Sequence, residues 1–219
     1  ALLRIHDKNG NFISPAEAIP ILEESGLIIP VGKWIIQNAF SMCTECRKYY
    51  PEFRVSINLS YVQILKSPLM MELKQIIEHS GISCSGIIVE LTESGYLEGT
   101  PAVRSVWNDM KQLRIQIALD DFGTGYSNLM NISNLEPDIV KLDRGFTLKA
   151  LSRSYEYQLM QYVIEMVHKL NQYVCVEGVE TKEDLEKIKA LGPDLIQGYY
   201  YSKPCSRDEF LKKFFDYSE

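Results

Sequence analysis

An α/β fold of the TIM type, a (β/α)8 barrel, is predicted by three features of the sequence. Short apolar runs rich in β-branched residues alternate with longer segments whose apolar residues recur every three or four positions, as in a parallel sheet covered by helices. The polar residues that end these runs lie about 28 residues apart, a repeat that suits a small barrel. No glycine-rich dinucleotide fingerprint follows the first run, which argues against an open, doubly wound sheet.

The predicted strands are short and almost continuously apolar, which indicates a sheet buried on both faces. They cover residues 53–58, 86–90, 115–120, 138–141, 173–177 and 194–197. Residues 1–5 would add a seventh strand, one fewer than a closed barrel needs. We therefore expect a single domain over residues 1–219 that lacks the first, amino-terminal strand of its barrel.

Predicted helices fill the intervals between the strands. Apolar residues at helical spacing predict helices over 31–49, 62–79, 103–113 and 155–171. Three more are indicated by their starts: Ser14-Pro15-Ala16-Glu17 is a capping box with proline in the first turn, Ser206-Arg-Asp-Glu209 repeats the capping box, and Thr181 with Asp184 is a shorter-chained version of it. Strand and helix thus alternate along the chain.

The composition is that of a globular protein, with 46% hydrophobic and 24% charged residues among 219. The net charge of −6 disfavours duplex nucleic acid as a partner, because Lys and Arg must neutralise its phosphates. No apolar stretch approaches the ~18 residues of a membrane span and no secretory signal opens the sequence, so we expect no membrane contact within this chain.

Five cysteines form no disulfide framework, which favours a reducing compartment and a cytoplasmic location. Cys43 and Cys46 form a C-x-x-C pair inside a helical pattern, and we interpret them as helix cysteines rather than as a zinc or redox site.

Every predicted strand from residue 53 onward ends in a group that can bind a metal ion or move a proton. In a parallel barrel these ends form one rim, which would bring together Asn58, Glu90, Asp120 with Asp121, Lys141, Glu177 and Gln197. Two carboxylates ~4 Å apart repel by about 4 kcal/mol at an effective dielectric constant of about 20, and a single lysine offsets only one of the four negative charges. The rim therefore calls for cations. Oxygen ligands without histidine or thiolate suit Mg²⁺ or Mn²⁺, and their number suits two ions that share a bridging carboxylate.

Asp120 and Asp121 are adjacent, so a regular strand would point their side chains to opposite faces. Both can face a metal ion only where the strand breaks into the following turn. Gly123 and Gly125 are predicted to supply that break.

The same residues give the sequence a resemblance to the EAL-domain family of cyclic di-GMP phosphodiesterases. The opening Ala1-Leu2-Leu3-Arg4 is similar to the tail of the family's Glu-Ala-Leu signature. Further motifs follow in the family's order along the whole chain: Ile57-Asn-Leu-Ser60, Glu90-Leu-Thr-Glu93, Asp120-Asp-Phe-Gly-Thr-Gly-Tyr-Ser127, Val140-Lys-Leu-Asp143, Val176-Glu-Gly-Val-Glu-Thr181 and Gln197-Gly-Tyr-Tyr200. The resemblance implies metal-dependent hydrolysis of cyclic di-GMP to linear pGpG.

The resemblance also implies roles for individual residues. Metal binding is implied for Asn58, Glu90, Asp120, Asp121 and Glu177. Catalytic roles are implied for Lys141, which would contact the attacking water, for Glu177, which would accept its proton, and for Glu180 as an orienting group. Substrate contacts are implied for Arg4, Asn58, Asp121, Gln197 and Tyr200, the last by stacking on a base. Glu93 resembles the residue that anchors the loop after Asp121, where the family couples dimerisation to activity. A homodimer and fusion to sensory or GGDEF-type domains are therefore expected.

Two departures from the family pattern leave alternatives open. The signature glutamate, itself a metal ligand in the family, would stand before Ala1, and Ile5 stands where the family often has a tryptophan that stacks on guanine. A domain that binds cyclic di-GMP without cleaving it is therefore the main alternative. Another magnesium-dependent barrel enzyme would use the same carboxylates. Asp121-Phe122-Gly123 also matches a kinase signature, but no glycine-rich phosphate loop and no His-Arg-Asp segment accompany it.

Overall fold

The computed structural model describes residues 1–92, 100–124, 132 and 135–215, which fall into two compact units. The first unit comprises Ala1–Glu90 with the described parts of Glu98–Gln116 and Arg207–Glu219. The second comprises the described parts of Leu91–Leu97 and Ile117–Ser206.

Strands and helices alternate along most of the described chain, as the sequence predicts. The strands are β1 Ile5–His6, β2 Phe12–Ile13, β3 Val55–Asn58, β4 Ile87–Thr92, β5 Gln116–Phe122, β6 Ile139–Leu142, β7 Tyr173–Glu177 and β8 Leu195–Gln197. The helices are α1 Pro15–Glu24, α2 Ile28–Cys46, α3 Tyr61–Lys66, α4 Leu69–Ser80, α5 Pro101–Gln112, α6 Arg144–Ser152, α7 Ser154–Lys169, α8 Lys182–Lys189 and α9 Arg207–Phe215.

The six predicted strands from residue 53 onward are confirmed as β3 to β8, with every end within two residues of its predicted position. In the first unit β3 pairs with β4 in parallel, and the register sets Asn58 opposite Glu90. In the second unit β5, β6, β7 and β8 pair in that order, again in parallel, with Glu177 opposite Gln197. Parallel pairing brings the carboxyl ends of neighbouring strands to the same edge, which positions the candidate site.

The prediction of a parallel strand over residues 1–5 is wrong. Ile5 and His6 pair antiparallel with Ile13 and Phe12 in a separate two-stranded sheet. The chain reverses because Asp7 accepts hydrogen bonds from the backbone of Asn9 and Asn11, both at 2.8 Å, and Gly10 takes a positive φ of 84°. This local turn chemistry, with a short side chain bonding to the backbone that follows it, outweighs the apolar character of the opening residues.

The helix predicted over 62–79 is two helices, α3 and α4. Pro68 interrupts the pattern, because the residue before a proline is disfavoured in helical conformation, and Ser67 is extended with φ −132° and ψ 161°. The helix starts predicted at Ser14, Thr181 and Ser206 are confirmed. Thr181 and Asp184 make the expected reciprocal capping box, whereas at the first helix only the Ser14 hydroxyl caps, accepting from Ala16 N–H. Within the described ranges, no helix combines the length and hydropathy needed to cross a bilayer.

Each unit has its own buried interior. In the first, α2 places Phe40, Cys43 and Cys46 in the interior with no exposed surface, and both thiols are free, as expected for helix cysteines. In the second, all four residues of β6 are buried, including Lys141 at 5% exposure. A lysine that is buried in a sheet needs compensating carboxylates, since an unpaired buried charge is very costly.

Candidate functional site

Lys141 joins two of the predicted site residues in the second unit. Its Nζ lies 2.9 Å from Asp120 Oδ1 and 2.8 Å from Glu177 Oε1. The three side chains come from the neighbouring strands β5, β6 and β7, and only 6%, 13% and 17% of the side chains of Lys141, Asp120 and Glu177 are exposed. The predicted convergence of strand ends is therefore observed for these residues, and one cation sits between two largely buried carboxylates.

The end of β5 is irregular, as the adjacent aspartates require. The pairing of β5 with β6 shifts register between Leu119 and Phe122, and Asp121 has a left-handed φ of 61°. The expected break therefore begins at Asp121 itself, and Gly123, with φ 103°, continues it. Asp120 stays buried while Asp121 is exposed, and the Asp121 N–H donates to Asp120 Oδ1 at 3.0 Å. Gly125, the other predicted glycine, lies outside the described residues.

Two predicted ligands lie together in the first unit. The register of β3 and β4 places Asn58 opposite Glu90, and the backbone N–H of Leu59 donates to the Glu90 carbonyl at 3.0 Å. Glu90 is 8% exposed, whereas Asn58 is exposed. Arg4, also in this unit and exposed, has its guanidinium 5.9 Å from the centre of the Phe12 ring.

An ion pair that sequence reasoning missed lies beyond the ends of β6 and β7, three residues after Lys141 and Glu177. Arg144, the first residue of α6, donates from Nε at 3.2 Å and from Nη2 at 2.8 Å to Glu180 Oε1. The hydrogen bonds and charge of Glu180 raise the pKa of Arg144 above its already high value. A signal was present in the sequence, because Arg144 follows Lys141 by the same three residues by which Glu180 follows Glu177.

Two glycines hold the loop after β7 in place. Gly178 has φ 80°, and a Cβ built there would lie 2.4 Å from Arg144 Cγ. A Cβ on Gly198 would lie 2.0 Å from the carbonyl oxygen of Val179. Val179 N–H donates to the Gln197 carbonyl at 3.3 Å, and Tyr200 N–H donates to the Val179 carbonyl at 3.1 Å. The backbone on which Glu177 and Glu180 stand is thus fixed against the end of β8.

Aromatic side chains follow the end of β8. Tyr199, Tyr200 and Tyr201 are all exposed, the Tyr200 and Tyr201 rings meet edge to face at 5.3 Å, and Lys203 Nζ lies 5.6 Å from the centre of the Tyr199 ring. Exposed aromatic faces can stack on a base. Glu93, the predicted loop anchor, lies outside the described residues.

The donor types at the strand ends fit a hard divalent cation. Over the described ranges, no three side chains of His, Cys, Asp or Glu come close enough to enclose an ion. Mg²⁺, however, is commonly held by one or two carboxylates together with water and substrate phosphates. The two hydrogen bonds that described residues donate to Asp120 both go to Oδ1, so Oδ2 accepts none from them. The three histidines have other neighbours: Phe12 for His6, the Gln75 carbonyl for His79 and Asp194 for His168.

Comparison with known proteins places this arrangement in a family. Residues 1–204 match the sequence profile of the EAL domain. The chain is 32% identical over 203 residues to the cyclic di-GMP phosphodiesterase PdeF of Escherichia coli K12, covering 93% of this chain and 27% of PdeF. The chain spans about a quarter to a third of the length of the curated relatives it matches. It belongs to the EAL-domain family.

Solved structures of the family share the fold. The EAL enzyme Bd1971, in a form bound to cAMP and cyclic di-GMP, superposes with a TM-score of 0.90 at 29% identity, over 96% of this chain and 58% of that chain. The MucR phosphodiesterase of Pseudomonas aeruginosa, in complex with c-di-GMP, gives a TM-score of 0.88 at 26% identity, over 96% of this chain and 85% of that chain. The predicted TIM-like α/β fold is confirmed by these likenesses.

Proposed function

We propose that this chain is a single EAL domain that hydrolyses one phosphodiester bond of cyclic di-GMP, giving linear pGpG, with the help of divalent cations. The observation that carries the proposal is the Asp120–Lys141–Glu177 cluster at the ends of three neighbouring parallel strands. Family membership and relatives named as cyclic di-GMP phosphodiesterases support the choice of substrate.

Glu177 is the proposed acceptor of the proton from the attacking water. Its carboxylate is held by the Lys141 ammonium at 2.8 Å, so the two groups keep a fixed geometry at the strand ends. Lys141 also places a positive charge at this edge. That charge offsets the repulsion between the substrate phosphate and the two carboxylates. A general base positioned in this way contributes about 10² to 10⁴ in rate.

The proposed metal ligands are Asn58, Glu90, Asp120, Asp121 and Glu177, with two Mg²⁺ or Mn²⁺ ions. When bound, such ions lower the pKa of a ligated water and neutralise charge that develops on the phosphoryl group. Asp120 Oδ2 accepts no hydrogen bond from a described residue, so a cation could bind it without breaking one. Asp121, the next residue in the chain, is exposed and has a left-handed backbone with φ 61°.

Substrate contacts are proposed for Arg4, Asn58, Asp121, Gln197 and Tyr200. Gln197 stands opposite Glu177 in the register of β7 and β8, which supports a role beside the reacting phosphate. Tyr200 is 40% exposed and has a ring available for stacking on guanine. Glu93 is kept as the proposed loop anchor.

The wider assembly is also a proposal. We infer a homodimer, regulated by or fused to sensory or GGDEF-type domains, in a protein longer than this chain. Relatives of similar identity are named as a bifunctional diguanylate cyclase/cyclic di-GMP phosphodiesterase and as an oxygen sensor protein, and both are several times longer than the matched region.

A second candidate is a domain that binds cyclic di-GMP without cleaving it. The observation that favours it is the row of exposed tyrosines Tyr199, Tyr200 and Tyr201 after β8, which can stack on a base without any metal ion. The two candidates are separated by incubating the chain with cyclic di-GMP and Mg²⁺ or Mn²⁺ and resolving the nucleotides by chromatography. Appearance of pGpG supports the enzyme, whereas tight binding of unchanged cyclic di-GMP supports the sensor.

A further inference from the structure

The ends of β6 and β7 carry two ion pairs with the same spacing. Lys141 of β6 pairs with Glu177 of β7, and three residues further on Arg144 pairs with Glu180. The first pair is largely buried, while the side chains of Arg144 and Glu180 are 58% and 38% exposed. Exposed ion pairs contribute little to folding, so the Arg144–Glu180 pair is expected to add little to the free energy of unfolding.

We propose that Arg144 is a positioning residue that fixes Glu180 so that its second carboxylate oxygen, Oε2, accepts a hydrogen bond from an N–H or O–H group of the nucleotide. The inference rests on the proposed function, because it names a substrate contact of the same site. It assigns Arg144 a role that sequence reasoning did not give it.

The hydrogen bonds of the pair determine which oxygen is free. Arg144 Nε and Nη2 both donate to Oε1 of Glu180, and no described residue donates to Oε2. A guanidinium offers donors in a rigid planar fork, so it holds the carboxylate in one orientation better than an ammonium would. Oε2 is thereby left as a single acceptor with a defined direction, at a side chain that solvent and ligands can reach.

The backbone around Glu180 is fixed as well. On one side, the Val179 N–H donates to the carbonyl of Gln197, the last residue of β8, and the Val179 carbonyl accepts from Tyr200 N–H. On the other side, Thr181 N–H donates to Asp184 Oδ2 at 3.0 Å, in the capping box of α8. Gly178 packs against the stem of Arg144. The remaining freedom of Glu180 lies in its side-chain torsions, and those are what Arg144 restricts.

This arrangement makes Glu180→Gln an unusually informative variant. Because both Arg144 donors need an acceptor, the amide oxygen of the glutamine turns towards Arg144 and its NH₂ group takes the place of Oε2. An acceptor for the substrate is then replaced by a donor. If Arg144 is also changed to Met, the amide is free to rotate and to present its oxygen to the substrate again.

The test compares KM and kcat for cyclic di-GMP with Mg²⁺ in wild type, Arg144→Met, Glu180→Gln and the double variant. If the chain binds without cleaving, Kd from calorimetry replaces KM. We expect Glu180→Gln to raise KM about tenfold, with little change in kcat. A tenfold change is the effect expected from losing one hydrogen bond to a charged group. The double variant is expected to recover to within about threefold of wild type.

Arg153 and Glu156, an exposed ion pair at 3.1 Å on α7, provide the matched control. Arg153→Met and Glu156→Gln should leave KM unchanged. A double variant no better than Glu180→Gln overturns the inference alone, as does an unchanged KM in Glu180→Gln. A wild-type chain that neither binds nor cleaves cyclic di-GMP overturns the proposed function, and the inference with it.

Discussion

The ammonium nitrogen of Lys141 lies 2.8 Å from Glu177 Oε1, across the parallel pair β6 and β7, and the same nitrogen lies 2.9 Å from Asp120 Oδ1 on β5. One buried cation thus holds two carboxylates from the two flanking strands. The cluster links stability to function, because the groups that hold the strand ends together are those proposed to act on the substrate.

Lys141→Met is expected to lower both stability and turnover. Removing the ammonium leaves two largely buried carboxylates without their shared partner, and breaking such a buried pair typically costs about 3 kcal/mol. Urea denaturation measures the free energy of unfolding, and Lys149→Met, an exposed lysine on α6, is the control. Equal stability of the two variants would show that the Lys141 contacts contribute nothing to folding.

Glu177→Gln is expected to remove turnover while retaining substrate binding. The glutamine keeps the size of the side chain and an acceptor for Lys141, but it cannot take a proton from water, so kcat should fall by about 10² or more. Binding of cyclic di-GMP, measured by calorimetry, should change little. Glu165→Gln on α7 is a control outside the cluster. A Glu177→Gln enzyme with normal kcat would remove Glu177 from its proposed role.

Gly178→Ala is expected to destabilise the second unit more than Gly192→Ala does. Both glycines have a positive φ, 80° and 74°, so both variants carry the backbone strain of a left-handed alanine. Only at Gly178 would the new Cβ collide, at 2.4 Å, with Arg144 Cγ, whereas it meets nothing within 4 Å at Gly192. Overpacking of this kind adds about 1–3 kcal/mol. Chemical denaturation measures the free energy of unfolding of both variants. Equal losses of stability would show that Gly178 does not lie so close to Arg144.

Cys43 and Cys46 are expected to resist thiol reagents in the folded protein. Burial raises the pKa of both thiols, and for Cys46 burial and the neighbouring Cys43 raise it to about 11. At pH 8 both remain protonated and inaccessible, while the exposed Cys205 reacts with Ellman's reagent. Rapid labelling of every cysteine in the native state would contradict this.

Because the pKa of Cys46 is raised in the folded protein, the free energy of unfolding depends on pH in the alkaline range. A thiol whose pKa is raised on folding stabilises the protein fully below its unfolded value near 9.0, and this contribution is lost as pH rises through about 11. Cys46→Ala should therefore reduce the loss of stability between those pH values, measured by urea denaturation. An identical pH dependence in the variant would exclude Cys46 as a cause.

The strands were predictable because each is a short apolar run that ends in a polar residue. Residues 1–5 were mispredicted because side-chain hydrogen bonds of Asp7 reverse the chain, a local effect that hydrophobic pattern does not report. Pro68 divides the helix predicted over 62–79 because it restricts the residue before it, which is also a local effect that the hydrophobic pattern does not report.

The candidate site was predictable to the extent that it depends on parallel topology. Strand ends converge in a parallel sheet, so Asp120, Lys141 and Glu177 were expected to meet, and they do. The Arg144–Glu180 pair depends on how α6 begins and on the turn at Gly178, and neither is fixed by the apolar pattern. The left-handed backbone of Asp121 was also not predictable, since a non-glycine residue adopts it only where its surroundings require it.

The central claim is that the chain catalyses divalent-ion-dependent attack of water on a phosphodiester of cyclic di-GMP. The most direct test is to incubate the chain with cyclic di-GMP and Mn²⁺ in H₂¹⁸O, with and without EDTA, and to analyse the nucleotides by mass spectrometry. We expect pGpG with one ¹⁸O in its terminal phosphate, and no pGpG when EDTA is present. Recovery of cyclic di-GMP unchanged under all conditions would contradict it.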